Sequence, residues 1–145
     1  MFRGRSKHIL DEKGRLAIPA RFKEVLKEKG NDTLVVTNKG ECLWAFPKDT
    51  WAILEEKVAN LPLFDKTGIA FLRSFISSAE ECSLKNGRIT ISARLREEAG
   101  LSKEVVVAGH LKKFEIWDKD KWDAEYEKVK DISPESSPSL QELRI

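Results

Sequence analysis

The chain repeats itself, and this duplication constrains its fold more than any other feature. Residues 13–24 match residues 86–97 at an offset of 73, with Gly-Arg and Ala-Arg pairs at equivalent positions. A second block, residues 43–51, recurs as residues 114–122 at an offset of 71. Because both blocks recur in the same order, with two residues lost between them, we interpret the chain as a tandem duplication.

Each repeat begins with the pattern of a β-hairpin. In the first repeat, residues 5–10 predict a strand, residues 11–14 a turn and residues 15–18 the returning strand. An aspartate at the first turn position and a glycine at the fourth suit a type I turn closed by a residue in the left-handed region. The sequence therefore predicts a hairpin whose tip is charged.

Helices and further strands follow in both repeats. Pro19 suits the first turn of a helix that Gly30 ends, and in the second repeat Ser92 offers an N-cap oxygen to a helix that Gly100 ends. Further strands are predicted at 33–38, 42–46, 104–109 and 113–117. Helices are predicted after Asp49, Asp65 and Asp118, and residues from 131 on have the composition of a mobile tail.

Neither repeat is large enough to bury its own apolar face, so we expect the two halves to share one core. The predicted fold class is α+β, mainly β, with a pseudo-twofold mixed sheet or barrel and flanking helices. We divide the 145 residues into a first repeat (5–50), a helical connector (51–78), a second repeat (79–121) and a C-terminal helix with its tail (122–145).

The segment Asp11-x-Lys13-Gly14-Arg15-Leu16-x-Ile18-Pro19 resembles the signature of the AbrB-type swapped-hairpin fold. Phe2-Arg3-Gly4, two copies per chain and helices that carry Trp make the chain similar to the MraZ family of transcription factors, from residue 1 to about 130. The resemblance implies two tandem AbrB-type swapped-hairpin repeats, subunits that close into rings, and binding to repeated DNA sites upstream of the division and cell-wall gene cluster.

The charge pattern indicates which residues would contact double-stranded DNA. Residues 1–23 carry seven Lys or Arg against two acidic residues, whereas residues 118–145 carry five basic and eight acidic groups. An arginine after a Gly turn is a rigid outward cation suited to phosphate or to the edge of guanine. We predict DNA contacts from Arg15 and Arg88 first, with Lys13, Lys85, Arg3, Arg5 and Lys7 as phosphate contacts that extend the basic strip.

Three residues are predicted to shape the two turns: Asp11, Gly14 and Gly87. Asp11 lies four residues before Arg15 and could both close the turn and hold the guanidinium. In the second repeat, sequence similarity puts Leu84 in the place of Asp11. The first repeat could therefore read bases while the second contacts the backbone or supports assembly.

Other functions have less support in the sequence. His8 and His110 are the only histidines, and no phosphate-binding loop, nucleophile elbow or paired carboxylate motif is present, so we predict no enzyme and no small-molecule substrate. An antitoxin-like protein-interaction module on the same fold remains an alternative, because AbrB-type hairpins also occur in antitoxins. RNA binding is a further possibility, although stacking aromatics of the usual kind are not evident.

Cys42 and Cys82 stand alone, without the spacing of a zinc site, so we expect reduced thiols, no metal and no cofactor. No apolar run reaches the length of a membrane span and no secretory signal is evident, which predicts a cytoplasmic, nucleoid-associated protein.

One pair of hairpin turns offers few contacts to DNA, so a single subunit is expected to bind weakly. A ring of subunits on repeated sites would raise avidity roughly a hundredfold or more.

Overall fold

The computed structural model describes all residues from 1 to 145. Each repeat contributes four strands and two helices, a further helix joins the repeats, and a sixth, short helix lies near the C-terminus. The strands are β1 (Arg5–Ile9), β2 (Arg15–Ala17), β3 (Thr33–Lys39), β4 (Cys42–Pro47), β5 (Glu80–Ser83), β6 (Arg88–Thr90), β7 (Glu104–His110) and β8 (Lys113–Asp118). The helices are α1 (Ala20–Glu28), α2 (Lys48–Val58), α3 (Lys66–Phe71), α4 (Ala93–Glu98), α5 (Lys119–Val129) and α6 (Pro138–Gln141).

Six strands form one open antiparallel sheet in the order β1-β7-β8-β4-β3-β5, and β2 pairs with β6 in a separate two-stranded ribbon. The fold is α+β, as predicted, but the prediction of a mixed sheet or barrel is wrong, because every pairing is antiparallel and the sheet stays open. The order is symmetric about the β4–β8 pair, so the two repeats are related by a pseudo-twofold axis at the centre of the sheet.

Both strands of the hairpin predicted for residues 5–18 exist, but their partners lie in the other repeat. Strand β1 pairs with β7 rather than with β2, and the equivalent strand β5 pairs with β3. The simple hairpin predicted for residues 5–18 is therefore wrong as a ladder, although its turn forms. A two-stranded hairpin is marginal in water, and the pairing of β2 with β6 across the repeats buries Leu16 and Ile89 in the shared core.

One large core fills the space between one face of the sheet and the layer formed by the ribbon with α1 and α4. It contains 19 buried residues from both repeats. Three phenylalanine rings, Phe2, Phe22 and Phe114, meet at its centre with ring centroids 5.1 to 5.3 Å apart. Because both repeats supply this core, neither buries its apolar residues alone, as the sequence predicted.

Helices cover the other face of the sheet. Helix α2 and the connector pack there around Trp51 and Phe75, while α5 packs over Val106 and Trp117. The connector begins at α3 and continues as a π-helical turn, Leu72–Ile76. None of the helices has the length and apolar composition that a membrane crossing requires.

Most helix ends follow the predicted chemistry. Helix α1 starts after Pro19, and Ser92 caps α4 by accepting a 3.2 Å hydrogen bond from the N–H of Leu95. Helix α2 departs from the prediction, since it begins at Lys48 and Asp49 lies inside its first turn. The predicted tail contains a 3-10 turn, Pro134–Ser136, and α6, neither of which has a buried residue.

Candidate nucleic-acid interface

The β2–β6 ribbon presents two arginines on one surface. Leu16 pairs with Ile89, and both are buried, so the residues on either side of them face outward. Arg15 begins β2 and Arg88 begins β6, and because the strands are antiparallel the two arginines lie at opposite ends of the ribbon. Their positions are two residues apart along the ribbon, roughly 7 Å. Both predicted arginines therefore share one outer face.

The first turn holds Arg15 in place. The N–H of Gly14 donates to the carbonyl of Asp11 at 3.0 Å, and Gly14 has φ +80°, a conformation that disfavours residues with a Cβ. One carboxylate oxygen of Asp11 accepts the N–H groups of Lys13 and Arg15 at 3.0 and 2.8 Å, and the other accepts Nε of Arg15 at 2.5 Å. This is a type I turn closed by a left-handed glycine, as the sequence predicted.

The ion pair leaves Arg15 able to bind a ligand. The backbone N–H of Arg15, together with its guanidinium, lowers the pKa of Asp11, so the carboxylate stays charged over the physiological range. Asp11 uses only Nε of the guanidinium, and the two terminal nitrogens of Arg15 make no hydrogen bond within the chain. Arg15 is thus a pre-oriented fork with its outer edge free for a phosphate or a base.

The second turn is one residue shorter than the first. Lys85 and Arg88 exchange backbone hydrogen bonds at 2.8 and 3.0 Å across a two-residue loop of Asn86 and Gly87, which have φ +52° and +74°. Two consecutive positive φ angles are the mark of a type I′ hairpin turn, and Asn-Gly is its preferred sequence.

This shorter turn corrects the sequence alignment of the repeats. Leu84 donates its N–H to Asp32 at 2.7 Å just as Leu10 donates to Lys103 at 2.8 Å, so Leu84 is the counterpart of Leu10 and not of Asp11. Lys85 closes the second turn where Asp11 closes the first. A cation therefore stands in the second repeat where the first has a carboxylate.

The second turn consequently carries two uncompensated cations. The side chain of Arg88 makes no hydrogen bond or ion pair in the structure, and the same is true of Lys85, which is exposed. In the first turn, by contrast, Asp11 offsets the charge of Arg15. The two ends of the ribbon thus differ in charge and in side-chain hydrogen bonding, although the backbone at the ribbon is nearly symmetric.

Each turn is locked against the other repeat. The N–H of Ile18 donates to the carbonyl of Gly87 at 3.0 Å, and the N–H of Ile91 donates to the carbonyl of Gly14 at 2.8 Å. A Cβ at Gly14 would lie 2.5 Å from the carbonyl oxygen of Ile91, so this position has no room for a side chain. The relative position of the two turns is therefore fixed by backbone contacts.

Two further cations, which the sequence analysis missed, lie against these turns. Arg96 of α4 donates from Nε to the carbonyl of Ile91 at 3.1 Å beside Gly14, and Lys23 of α1 lies against Gly87. Lys23 and Arg96 occupy equivalent positions at the repeat offset of 73. The repeat alignment could have identified both residues, because in each repeat a basic residue of the first helix lies against the turn of the other repeat.

The three remaining predicted contacts do not join this surface. Arg5 and Lys7 lie on the opposite face of the sheet, where the guanidinium of Arg5 packs 4.5 Å from the ring centroid of Tyr126 on α5. Arg3 is exposed and precedes β1, at the end of that strand away from the first turn. The basic strip predicted from Arg3 to Lys13 is therefore divided between two faces.

The histidine and cysteine side chains lie outside the ribbon. No group of three or more His, Cys, Asp or Glu side chains is placed to hold a metal ion. His8 is hydrogen-bonded to Ser6 at 2.7 Å, and burial lowers its pKa. Burial also raises the pKa of Cys42 to about 12 and of Cys82 to about 11, which favours the protonated thiol at neutral pH. The chemistry that the ribbon supports is anion binding.

Comparison with known proteins agrees with the duplication. The family model described as "MraZ protein, putative antitoxin-like" matches residues 1–74 and again residues 75–142. The chain is 50% identical to the Transcriptional regulator MraZ of Syntrophobacter fumaroxidans, over 90% of this chain and 87% of that protein. It is 44% identical to the protein of the same name in Ligilactobacillus salivarius, over 86% of this chain and 85% of that protein. It is 40% identical to the one in Alkaliphilus metalliredigens, over the whole of both chains. The chain belongs to the MraZ family.

Proposed function

We propose that this protein is a sequence-specific transcriptional regulator that binds double-stranded DNA through the two turns of the β2–β6 ribbon. The single observation that carries the proposal is the pair of arginines at the ends of one rigid ribbon, each at a glycine turn locked to the other repeat. Relatives named transcriptional regulators support the regulatory role. On this proposal the repeats, 5–50 and 79–121, act as tandem swapped-hairpin modules.

The two turns have different tasks in this proposal. Asp11 orients Arg15, and an oriented arginine suits bidentate contact with guanine in the major groove. Lys85 and Arg88 have no such partner and supply point charges to the phosphate backbone, as do Lys13, Lys23 and Arg96. The first repeat then specifies the sequence and the second repeat mainly supplies affinity.

A single ribbon makes few base contacts, so assembly is part of the proposed mechanism. Several subunits in a ring, each on one of several repeated DNA elements, would bind with far higher avidity than one subunit. The DNA target that we propose is the repeated sites upstream of the division and cell-wall gene cluster, which would place the protein at the nucleoid.

The test is a mobility-shift assay on the DNA upstream of the protein's own gene, in a salt series and with scrambled competitor. We expect specific binding that weakens as salt rises. Arg15→Ala should weaken specific binding by roughly ten- to a hundredfold, the usual cost of losing a bidentate base contact. Arg73→Ala, which removes one exposed arginine from the connector, is the matched control and should bind like the wild type.

Equal binding of Arg15→Ala and the wild type at every salt concentration would contradict the assignment of the site. Absence of any specific binding, together with a small protein that co-purifies in stoichiometric amount, would favour the antitoxin-like alternative.

A further inference from the structure

In the second repeat, an arginine of α4 is held by two carboxylates. Nη2 of Arg94 donates to Glu80 at 2.7 Å and to the carbonyl of Ser78 at 2.9 Å, and Nη1 donates to Glu98 at 3.0 Å. Ser92, the N-cap of α4, donates to the same oxygen of Glu80 at 2.8 Å. The carboxylate of Glu80 therefore lies between an arginine fork and a helix N-terminus, a position that suits an anion.

An arginine of the first repeat lies in the equivalent position. Arg21 of α1 corresponds to Arg94 at the repeat offset of 73. Residues before the two turns correspond at an offset of 74, because the second turn is one residue shorter, so Gly4 corresponds to Ser78. A Cβ at Gly4 would clash with the guanidinium of Arg21, which shows that Arg21 lies against Gly4 as Arg94 lies against Ser78.

The acidic partners of the second repeat have no counterpart in the first. The strand pairings put Ser6 of β1 in the place of Glu80 of β5, and the offset of 73 puts Val25 in the place of Glu98. The exposed side chain of Arg21 makes no hydrogen bond or ion pair within the chain. The same backbone thus presents an arginine fork that is neutralised in one repeat and free in the other.

The groups around Arg21 are hydrogen-bond donors. Oγ of Ser6 lies 2.7 Å from Nε2 of His8 and can make a further hydrogen bond. Pro19 gives the nine-residue helix α1 no side-chain cap, so its first N–H groups have no side-chain acceptor. Residues 1–10 contain no Asp or Glu, and Glu24, on the next turn of α1, makes no ion pair with Arg21. Donors therefore dominate this site.

We propose that Arg21 and Ser6 bind a phosphate group in the position that the carboxylate of Glu80 takes in the second repeat. The second repeat shows that this place in the fold accepts an oxyanion between two side-chain donors. A phosphate carries enough oxygens to accept from the arginine fork, the hydroxyl and the helix N–H groups together. Lys23 of the same helix turns instead to Gly87, so this site is separate from the ribbon.

The first test measures phosphate binding without DNA, so that its outcome is independent of the proposed function. The full chain is dialysed to equilibrium against radiolabelled inorganic phosphate at constant ionic strength. The wild type should bind one phosphate per chain at its tightest site. Arg21→Ala should raise the Kd of that site by roughly ten- to a hundredfold, as expected for loss of a charged hydrogen bond.

Ser6→Glu supplies the carboxylate that the second repeat already has, and it should weaken phosphate binding as much as Arg21→Ala does. Arg73→Ala makes the same change in net charge on the connector and should bind phosphate like the wild type. Absence of saturable binding to the wild type overturns the proposal. Equal Kd values for the wild type, Arg21→Ala and Ser6→Glu, or an equal loss in Arg73→Ala, also overturn it.

The second test identifies the source of the phosphate, which is either the DNA backbone or a small phosphorylated molecule. Mobility shifts compare Ser6→Glu with Arg73→Ala on the DNA upstream of the gene. A slope of log affinity against log salt that falls by about 1 in Ser6→Glu alone assigns the phosphate to DNA. Equal slopes, together with the phosphate binding measured by dialysis, assign it to a small phosphorylated ligand.

Discussion

Replacing each of the two turn glycines by alanine should produce very different losses of stability. Both positions have positive φ, +80° at Gly14 and +74° at Gly87, so either alanine would cost about 1–2 kcal/mol for the left-handed conformation alone. The surroundings then differ. At Gly87 the new Cβ would lie 3.0 Å from Nζ of Lys23, the end of a flexible side chain that can move away.

At Gly14 the new Cβ would lie 2.5 Å from the carbonyl oxygen of Ile91, which belongs to the backbone, and 2.7 Å from Nε of Arg96. Relieving this clash must separate the two repeats where Ile91 donates to Gly14 and Arg96 donates to Ile91. Losing a neutral and a charged hydrogen bond costs about 1 and 1.5–3 kcal/mol respectively. The total for Gly14→Ala is about 4–6 kcal/mol, against about 1–2 kcal/mol for Gly87→Ala.

The assay is thermal and urea unfolding of the wild type and both variants at one fixed protein concentration, since assembly also contributes to apparent stability. Each kcal/mol lowers Tm by about 2–4 °C in a chain of this size, so Gly14→Ala should lower Tm by about 15 °C and Gly87→Ala by about 4 °C. If the two variants lose stability equally, or if Gly87→Ala loses more, the backbone contact between Gly14 and Ile91 does not limit the ribbon and the reasoning is refuted.

Three further predictions concern charge and thiol chemistry. Because hydrogen bonds from Arg15 lower the pKa of Asp11, its carboxylate stabilises the fold at neutral pH. This stabilisation disappears as the pH falls from the ordinary pKa of 3.8 through the lowered pKa of the folded protein. The urea midpoints of the wild type and Asp11→Asn should therefore differ at pH 7 and converge in that acidic range. Lys85→Asn should reduce the slope of log affinity against log salt by about 1 and weaken binding to specific and scrambled DNA alike, whereas a loss confined to specific DNA would reverse the division of tasks between the turns. Cys42 and Cys82, whose pKa values are raised to about 12 and 11, should resist a thiol reagent at pH 8 until urea unfolds the chain, and rapid labelling of the folded protein would show that they are not buried as described.

The local elements could be predicted from the sequence because their signals are local. The turn of Asp11 and Gly14, the N-cap of Ser92 and the end of α1 before Gly30 each depend on residues within one turn of the chain. The duplication also predicted a shared core. Pairing could not be predicted in the same way, since alternation indicates which face of a strand is buried but not which strand lies beside it.

Two site features were beyond the sequence for related reasons. In β1 the half-buried face carries Ser6 and His8 while Arg5 and Lys7 point to the α5 side, so no apolar alternation identified the face of these cations. The second turn is one residue shorter than the first, but the close sequence match between the repeats after Gly14 and Gly87 hides this difference in length. Only the equivalent hydrogen bonds before each turn reveal that Lys85 stands in the place of Asp11.

This exchange of charge has a consequence for the kind of DNA site that one subunit can read. A ribbon with true twofold symmetry would place identical arginines at both ends and would favour a palindromic site, because operator symmetry mirrors protein symmetry. Here Arg15 is held by Asp11, whereas Arg88 has Lys85 beside it and no carboxylate. The two ends therefore differ in what they favour on DNA, so a subunit bound as proposed has a direction. Subunits that each have a direction suit sites repeated head to tail, so on the proposed binding mode the divergence of the two turns favours direct repeats over inverted ones.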